Sequence, residues 1–161
     1  MVLIISSFLS KKECQFWKDY CVYANNNDTL EVGLKTAGEH KKVNRNYYTI
    51  RTPFKFMDEV KKIAEKNWKQ KLNFQQNSYG HIMHYRKIGQ GLEWHAEPKI
   101  STVSVSINLS NEDEYKGAEF EIKGHKLDLK QGDAIFYDSS LLHRVTPLLH
   151  GHKKSLVMWL K

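Results

Sequence analysis

Residues 132–160, GDAIFYDSSLLHRVTPLLHGHKKSLVMWL, decide the fold of this chain. They contain three short apolar segments, at residues 134–137, 145–148 and 155–160, and turns with glycine, proline or charged residues separate these segments. Apolar residues do not recur at the 3.6-residue period of a helix, whereas short apolar runs bounded by turn residues are typical of strands. The stretch therefore predicts a series of short β-strands.

The same pattern extends back along the chain to residue 73. Further strands are predicted at residues 78–85, 100–109, 118–122 and 126–129. A run of this many short strands indicates a β-sandwich or jelly roll. The carboxyl-terminal half is therefore expected to form a jelly-roll core, the double-stranded β-helix, over residues 73–161.

A helix is predicted near the amino end, after a short apolar strand at residues 2–5. Ser10 stands at the N-cap position and Glu13 three residues later, which is the capping-box pattern. Cys14 and Cys21 are seven residues apart on one face of this helix, so we expect buried free thiols rather than a disulfide or metal ligands. Free thiols fit a reducing cytoplasm.

A second helix is predicted from Thr52 as N-cap and Pro53 at the first helical position. Residues 29–46 have weak periodicity and a basic EHKKVNRN run, which predict a strand followed by a mobile loop. Both helices precede all the strands of the core. The chain is therefore expected to be one domain over residues 1–161, mainly β (α+β), with a helical support region at residues 1–72 whose two helices pack on one sheet.

Charge and hydropathy limit the partners of this protein. The net charge of +7 comes almost wholly from lysine, scattered as pairs, which is typical of a solvated surface. This charge permits an acidic peptide or nucleic acid as partner without demonstrating either. No segment approaches the roughly 20 apolar residues of a membrane span, and the opening MVLIISSFLS lacks the basic region of a signal peptide. We expect a cytoplasmic protein with no membrane contact.

The strongest candidate site combines His95, Glu97 and His143. His95 and Glu97 are two residues apart, so on a regular strand both side chains would project from the same face. Two imidazoles and one carboxylate leave half of an octahedral metal's positions open, as in non-haem Fe(II) oxygenases, whereas structural zinc closes its shell with four protein ligands. A His-x-Glu pair is common by chance at a surface. The downstream segment LLHRVTPLLHGHKK, which contains His143, is what favours a catalytic metal.

Several segments together resemble one protein family. They are ISSFLSKKEC at the amino end, HYRKIGQGLEWHAE in the centre, YKGAEFEI, and the closing stretch quoted above. Over nearly the whole length the chain resembles the iron and 2-oxoglutarate-dependent dioxygenases of the prolyl 4-hydroxylase type. The resemblance implies a jelly-roll enzyme that couples the oxidative decarboxylation of 2-oxoglutarate by O2 to the hydroxylation of a substrate C–H bond.

The resemblance also implies roles for particular residues. It implies that His95, Glu97 and His143 bind Fe(II). Tyr85, ten residues before His95, matches a tyrosine that hydrogen-bonds 2-oxoglutarate. Lys153, ten residues after His143, matches the basic residue that pairs with the distal carboxylate of the same cosubstrate. A buried carboxylate needs such a cation, since an unpaired charge in a dry barrel is costly.

Two more residues are assigned to the substrate side of the site. Trp159 matches a tryptophan on the final strand that helps to wall the active site. Arg45, within the basic residues 41–46, is expected to lie in a loop over the mouth of the site and to clamp a peptide, the alternative being a plain surface loop. The favoured substrate is a prolyl residue in a peptide or protein, with ascorbate as a candidate reductant.

Two positions depart from the family pattern, and two other functions stay open. Glu97 stands where most members have aspartate, so a strand shift or a different carboxylate rotamer must absorb the extra methylene. The arginine that often follows the metal motif has no counterpart at Ser101. The other functions are an oxidative nucleic-acid demethylase, suggested by the positive charge but not favoured, and a non-catalytic jelly-roll binding module.

Histidines outside this set are expected to have surface positions. His81 and His84 are three residues apart on a predicted strand, so their side chains lie on opposite faces and cannot both point into the barrel. His84 is therefore expected to turn outward.

Overall fold

A computed structural model describes residues 1–26, 30–37, 40–75 and 78–161, and at 21–44 it describes the backbone alone. The helices are α1 (Lys11–Asn26) and α2 (Lys55–Trp68). The strands, in chain order, are β1 (Val2–Ile5), β2 (Leu30–Ala37), β3 (His40–Ile50), β4 (Gly80–Tyr85), β5 (Leu92–His95), β6 (Val103–Asn108), β7 (Tyr115–Gly117), β8 (Phe120–Ile122), β9 (Ala134–Asp138), β10 (His143–Val145), β11 (Leu148–Gly151) and β12 (Lys153–Leu160).

The strands form two layers that enclose the site. Among the described residues, seven strands make the larger sheet, in the order β1-β9-β6-β12-β4-β3-β2, and every pair of neighbours is antiparallel. The facing layer consists of β5-β10-β8 and the pair β11-β7. The predicted mainly β jelly roll, the double-stranded β-helix, is confirmed. The region expected as helical support also contributes β1, β2 and β3 to the larger sheet.

Both helices pack on the outer face of the larger sheet, as predicted. Trp17 of α1 and Met57 of α2 belong to one buried apolar cluster with Leu156 and Met158 of β12. Full burial of such a side chain contributes about 1.5–3 kcal/mol, so the helices anchor this sheet. Because side chains alternate along a strand, the intervening residues of β12 point into the barrel. A single strand therefore serves both the helix-facing core and the site.

The first helix begins as the capping box predicts. The backbone N–H of Ser10 donates to Glu13 Oε2 at 2.7 Å, and the N–H of Glu13 donates to Ser10 Oγ at 3.1 Å. Cys14 is buried and free, as predicted, whereas the side chain of Cys21 lies outside the described residues. In the part of the chain that the structure describes, no helix has the length and apolar character needed to cross a bilayer.

The second helix begins later than predicted. Thr52 is not its cap: the N-cap residue is Phe54, in an extended conformation and without a side-chain capping bond. The Phe54 ring lies 4.8 Å from the ring of Trp17, centroid to centroid, and 5.4 Å from that of Tyr20. Packing between the two helices therefore outweighs the local capping signal.

Three strand predictions are wrong in instructive ways. In the described part of residues 29–46 the predicted strand and loop are wrong, because β2 and β3 are antiparallel neighbours and β3 also pairs with β4. The strand predicted at 145–148 is split, since Pro147 has no N–H to donate to a ladder. The segment 126–129 forms no ladder in the described structure, and its two leucines pack as side chains against the cluster of Ile135 and Tyr137.

Candidate metal centre

His95, Glu97 and His143 meet in the smaller layer. His95 is the last residue of β5 and lies directly opposite His143, the first residue of β10, with ring centroids 4.1 Å apart. Glu97 lies in the loop after β5 and not on the strand, because its N–H donates to the carbonyl of Ser139 at 2.7 Å and turns the chain. One ligand atom from each of the three residues lies within 4.8 Å of the others.

Backbone carbonyls fix the orientation of both imidazoles. Nδ1 of His95 lies 2.7 Å from the carbonyl oxygen of Glu93, and Nδ1 of His143 lies 2.8 Å from that of Leu141. A carbonyl only accepts, so each Nδ1 carries the proton and each Nε2 keeps a lone pair for a metal. Burial, with a smaller contribution from His95, lowers the pKa of His143 to about 4. His143 is therefore neutral at pH 7, the form that ligates a metal.

The indole of Trp159 orients the carboxylate of Glu97. Its Nε1 donates to Oε2 of Glu97 at 2.8 Å, while Oε1 of Glu97 lies 3.8 Å from Nε2 of His95. Trp159 thus holds Oε2 of Glu97, and Oε1 lies beside the imidazole of His95. Trp159 is predicted only as part of the wall, and the hydrogen bond adds an orienting contact to that position.

All the predicted site residues line one cavity, of about 40 Å³, between the two layers. It is lined by the three candidate ligands together with Tyr85, Lys153, Trp159 and Arg45. The structure therefore brings together residues that lie up to 114 positions apart in the chain, Arg45 and Trp159 being the extremes.

Lys153 and Tyr85 form the polar end of this cavity. They lie directly opposite each other on the neighbouring strands β12 and β4. Lys153 is 4% exposed, and its Nζ donates to the carbonyl of Ala118 at 2.6 Å. Burial lowers its pKa to about 8, opposed by the charge of Glu119. The pKa of Tyr85 is raised by burial, with Arg45 opposing the shift. At neutral pH both groups are therefore protonated donors.

Arg45 lines the cavity from a position that the sequence does not predict. The prediction that it lies in a loop over the mouth is wrong: residues 40–50 are the strand β3, held between β2 and β4. Arg45 is 6% exposed, and its Nε donates to the sulfur of Met83 at 3.4 Å. Arg45 is thus a buried cation in the cavity wall.

Tyr137 also lines the cavity and is missed by sequence reasoning. Nearby, the hydroxyls of three buried serines, Ser101, Ser104 and Ser139, form hydrogen bonds with one another. The ring of Tyr137 lies 4.9 Å from that of His143, and burial, reinforced by the charge of Glu97, raises its pKa. Ser101, where the family arginine is missing, is buried instead, and its hydroxyl lies 2.7 Å from that of Ser139. Alternation along β9 places Tyr137 on one face, but it does not tell which face is internal.

The orientation predicted for His84 is right, but the predicted exposure is wrong. Its side chain points away from the barrel interior and is nevertheless buried, with its ring near those of Tyr48 and His152. Burial, reinforced by the charge of Lys154, lowers its pKa to about 3. The helices cover this face of the sheet, which a single-strand pattern does not reveal.

Sequence comparison finds relatives of part of the chain. No protein-family model matches it. A PKHD-type hydroxylase of Teredinibacter turnerae is 36% identical over 63 residues, which are 37% of this chain and 28% of that protein. The match therefore spans well under half of either protein.

Structural comparison extends over nearly the full chain. A prolyl-4-hydroxylase of Pseudomonas putida superimposes with a TM-score of 0.73 at 15% identity, covering 99% of this chain and 92% of that one. The viral collagen prolyl hydroxylase of Paramecium bursaria Chlorella virus-1, in its 2OG complex, gives a TM-score of 0.64 at 19% identity, covering 99% and 94%. The chain thus has the fold of these prolyl hydroxylases, and the resemblance to the prolyl 4-hydroxylase type that its sequence indicates is confirmed.

Proposed function

We propose that this chain is an Fe(II)- and 2-oxoglutarate-dependent dioxygenase that hydroxylates a C–H bond, with a prolyl residue of a peptide or protein as its favoured substrate. One observation carries the proposal. Ligand atoms of His95, Glu97 and His143 lie within 4.8 Å of one another and line the cavity that also holds Lys153 and Tyr85. The fold and the partial similarity to a PKHD-type hydroxylase support it.

The donor set fits Fe(II). Two neutral imidazoles and one carboxylate occupy one face of an octahedron and leave the other face for ligands. A bound Fe(II) would supply the redox chemistry with which O2 decarboxylates 2-oxoglutarate and oxidises the substrate, and ascorbate is a candidate reductant for it. The task of the protein is then to orient the reactants and to keep water out.

Lys153 and Tyr85 are proposed to hold the distal carboxylate of 2-oxoglutarate. The ammonium is buried and charged at neutral pH, so a carboxylate would neutralise it in a dry environment. Lysine is a point charge without the fixed fork of arginine, and the Tyr85 hydroxyl therefore sets the direction of the carboxylate.

Arg45 is proposed to contact the substrate. Its Nε donates a hydrogen bond to Met83. With respect to the described residues, the two terminal nitrogens of the guanidinium are therefore available to a ligand. Each can donate to a carbonyl or carboxylate oxygen. A peptide offers both kinds of oxygen, which supports a peptide or protein as the substrate.

A cytoplasmic location is part of the same proposal. The buried free thiol of Cys14 supports it, because exported proteins meet oxidising conditions. Imaging of a tagged full-length chain would test it, and export of the tagged protein would contradict it.

A stepwise experiment tests the proposed function. Anaerobic addition of Fe(II) and 2-oxoglutarate should produce a charge-transfer absorption band, and admission of O2 should then yield succinate. Incubation with a peptide library, followed by mass spectrometry, should show a gain of one oxygen atom on proline. Oxygen on other residues would refute the prolyl assignment, and oxidation of alkylated nucleic acid would favour the demethylase. If neither the band nor succinate appeared, the chain would be a binding module and not an oxygenase.

Replacing Trp159 by phenylalanine is expected to weaken Fe(II) binding by about 10–100-fold, the usual effect of losing an outer partner of a metal ligand. Phenylalanine keeps the ring but removes the Nε1 donor, so the carboxylate of Glu97 loses its orientation. Anaerobic calorimetric titration with Fe(II) measures the change. Trp94→Phe is the matched control, because Trp94 is 42% exposed and lines no part of the site cavity. Equal affinity in the two variants would contradict the orienting role.

Binding of 2-oxoglutarate is expected to depend on pH through Lys153. Its pKa is lowered from 10.5 to about 8, so the ammonium is present below pH 8 and is lost as the pH rises through 8. The Kd should be constant below pH 8 and then rise about tenfold per pH unit, with proton uptake on binding. Calorimetry in buffers of different ionisation enthalpy measures both effects. Lys153→Arg should bind with no such dependence, since arginine stays charged; a flat profile in the unmodified protein would exclude Lys153 as the titrating group.

A further inference from the structure

A group of lysines lies at the carboxyl end of α2. Four exposed lysines line one open groove there, together with a glutamine and a glutamate. The lining residues are Lys62, Glu65, Lys66, Lys69, Gln70 and Lys71. The other carboxylates of this helix, Asp58 and Glu59, lie in its first half and do not line the groove. The groove therefore carries an excess of positive charge.

The carboxylates that border this groove are already engaged. Oε1 of Glu65 accepts the N–H of Leu72 at 3.0 Å, and its Oε2 lies 4.0 Å from Nζ of Lys71. Asp138 accepts a hydrogen bond from Nε1 of Trp68 and pairs with the amino-terminal ammonium. Neither carboxylate thus cancels the charge of the remaining lysines.

The positive charge continues from the helix toward the candidate ligands. Asn73 provides the link: its Oδ1 accepts Nζ of Lys61 at 3.0 Å, and its backbone exchanges two hydrogen bonds with that of Lys161. Nζ of Lys161 in turn donates to the carbonyl of Lys99 at 3.1 Å. Both Lys161 and Lys99 are exposed, so their charges extend the one at the helix end.

The last two lysines lie beside the candidate metal centre. Lys161 is the second residue after Trp159, and Lys99 is the second residue after Glu97. Trp159 and Glu97 are joined by the hydrogen bond described above. The exposed lysines that reach from the helix to this point form the lysine surface, which consists of Lys62, Lys66, Lys69, Lys71, Lys99 and Lys161.

Lys69 has a backbone conformation that lysine rarely adopts. It is the C-cap of α2, with φ 53° and ψ 37°, in the left-handed region. Glycine or asparagine is favoured there, because most side chains with a Cβ cost free energy in this conformation. A cation near the last carbonyls of a helix is favourable, but Lys66 already supplies one in the last turn. Binding of an anion by Lys69 gives this costly position a purpose.

An acidic peptide fits the lysine surface better than a nucleic acid does. Nucleic-acid sites usually add arginine forks or aromatic rings that stack on bases, and the residues that line the groove include neither. A lysine ammonium is a point charge that pairs well with single carboxylates. Lys62 and Lys69 are seven positions apart, which is about 10 Å along a helix. This is the length of about three residues of an extended peptide.

We infer that the lysine surface binds an acidic segment of a peptide or protein, and that in the proposed reaction this segment lies beside the prolyl residue of the substrate. The second part rests on the proposed function. The acidic segment would extend along the groove of α2 toward Lys99, while the prolyl residue enters the cavity of the candidate ligands. The net charge of +7 would attract such a partner from solution.

Fluorescence anisotropy with two labelled peptides tests the binding. Both peptides contain one proline, which is flanked by glutamates in one and by glutamines in the other. The unmodified protein should bind the glutamate peptide about fivefold or more tightly than the glutamine peptide, and added salt should reduce the difference. Replacing Lys66 and Lys69 together by glutamine should remove most of this preference, since each exposed ion pair contributes about two- to fivefold.

The matched control replaces Lys11 and Lys12 together by glutamine. These two lysines are exposed at the start of α1. The N–H of Leu9, just before them, donates to the carbonyl of Gly132, which precedes β9, whereas the candidate ligands lie near the other end of that strand. The control removes the same charge at a distance from the lysine surface, and it should keep the preference for the glutamate peptide.

The Lys69→Gly variant separates binding from folding. Glycine adopts the left-handed conformation without a Cβ penalty, so the thermal unfolding temperature should not fall. The glutamate peptide should nevertheless bind about two- to fivefold more weakly. A role of Lys69 in folding alone would not give this combination. Unchanged affinity in Lys69→Gly would remove Lys69 from the binding surface and leave its backbone conformation unexplained.

Turnover tests the link to the substrate. With Fe(II), 2-oxoglutarate and O2 present, the KM of the glutamate peptide should be about fivefold or more below that of the glutamine peptide, with similar kcat. Equal KM values would refute the placement of the acidic segment beside the prolyl residue.

The outcomes separate this inference from the proposed function. If the unmodified protein binds the two peptides equally, the inference fails, and succinate formation still decides the proposed function. If both double variants lose the preference equally, the net charge and not the lysine surface attracts the peptide, and the inference also fails. If a single-stranded oligonucleotide binds this surface and the glutamate peptide does not, the partner is a nucleic acid. If the glutamate peptide binds but no succinate forms, the surface stands and the proposed function fails.

Discussion

The His143→Ala variant is expected to bind Fe(II) more than about 100-fold more weakly and to lose turnover. Loss of a residue that only hydrogen-bonds a metal ligand costs about 10–100-fold in affinity, and loss of a ligand itself should cost more. The imidazole Nε2 is one of the three proposed ligand atoms, and the other two alone would not hold the facial arrangement. Anaerobic calorimetry and succinate formation measure the two losses. His150→Ala is the matched control, because His150 is exposed on β11 and should change neither.

The same variant needs a test that separates a lost ligand from a damaged fold. The His143 ring packs against Tyr137 and Phe120, with centroids 4.9 and 5.9 Å away, so its removal leaves a cavity. Added free imidazole can occupy that cavity and restore part of the Fe(II) affinity, which a collapsed site could not do. Full Fe(II) affinity and turnover in His143→Ala without imidazole would refute the site.

The spacing of His95 and Glu97 indicates one part of the site, and the resemblance to the dioxygenase family indicates the rest, including Tyr85 and Lys153. His95 and His143 end up paired across β5 and β10, and Tyr85 and Lys153 across β4 and β12. Alternation then determines that both members of each pair face the same side.

The local sequence pattern does not predict contacts between segments that are distant in the chain. The hydrogen bond from Trp159 to Glu97 spans 62 residues and depends on how the two layers face each other. Arg45 enters the wall because β3 pairs with β4, and the β3 sequence is too weakly periodic to indicate a strand of that length. Ser101 is buried through a hydroxyl contact with Ser139, for which no local pattern exists. Each of these features is set by packing of the whole domain and not by the residues beside it.

The Lys153→Met variant is expected to bind 2-oxoglutarate about 100- to 4,000-fold more weakly, since removing one partner of a buried ion pair costs about 3–5 kcal/mol. Methionine keeps the length of the side chain and removes the charge, so the distal carboxylate would be buried without a cation. The free energy of unfolding at pH 7 should not fall, because burial already disfavours the lysine charge, as its lowered pKa shows. Anaerobic calorimetry and thermal unfolding measure the two quantities.

Lys154→Met is the matched control for this variant, because the two lysines are adjacent on β12 and point to opposite faces. Nζ of Lys154 donates to the backbone carbonyl of Lys18 on α1 at 3.0 Å, on the helix side of the sheet, away from the cavity. Its removal should leave the Kd for 2-oxoglutarate unchanged within about twofold, since loss of an exposed or half-buried cation at a distance is largely screened. If both variants weakened binding equally, the general charge of the strand and not the Lys153 ammonium would attract the cosubstrate. If neither did, the carboxylate would have to be held by Arg45, the other buried cation among the described residues of the cavity wall.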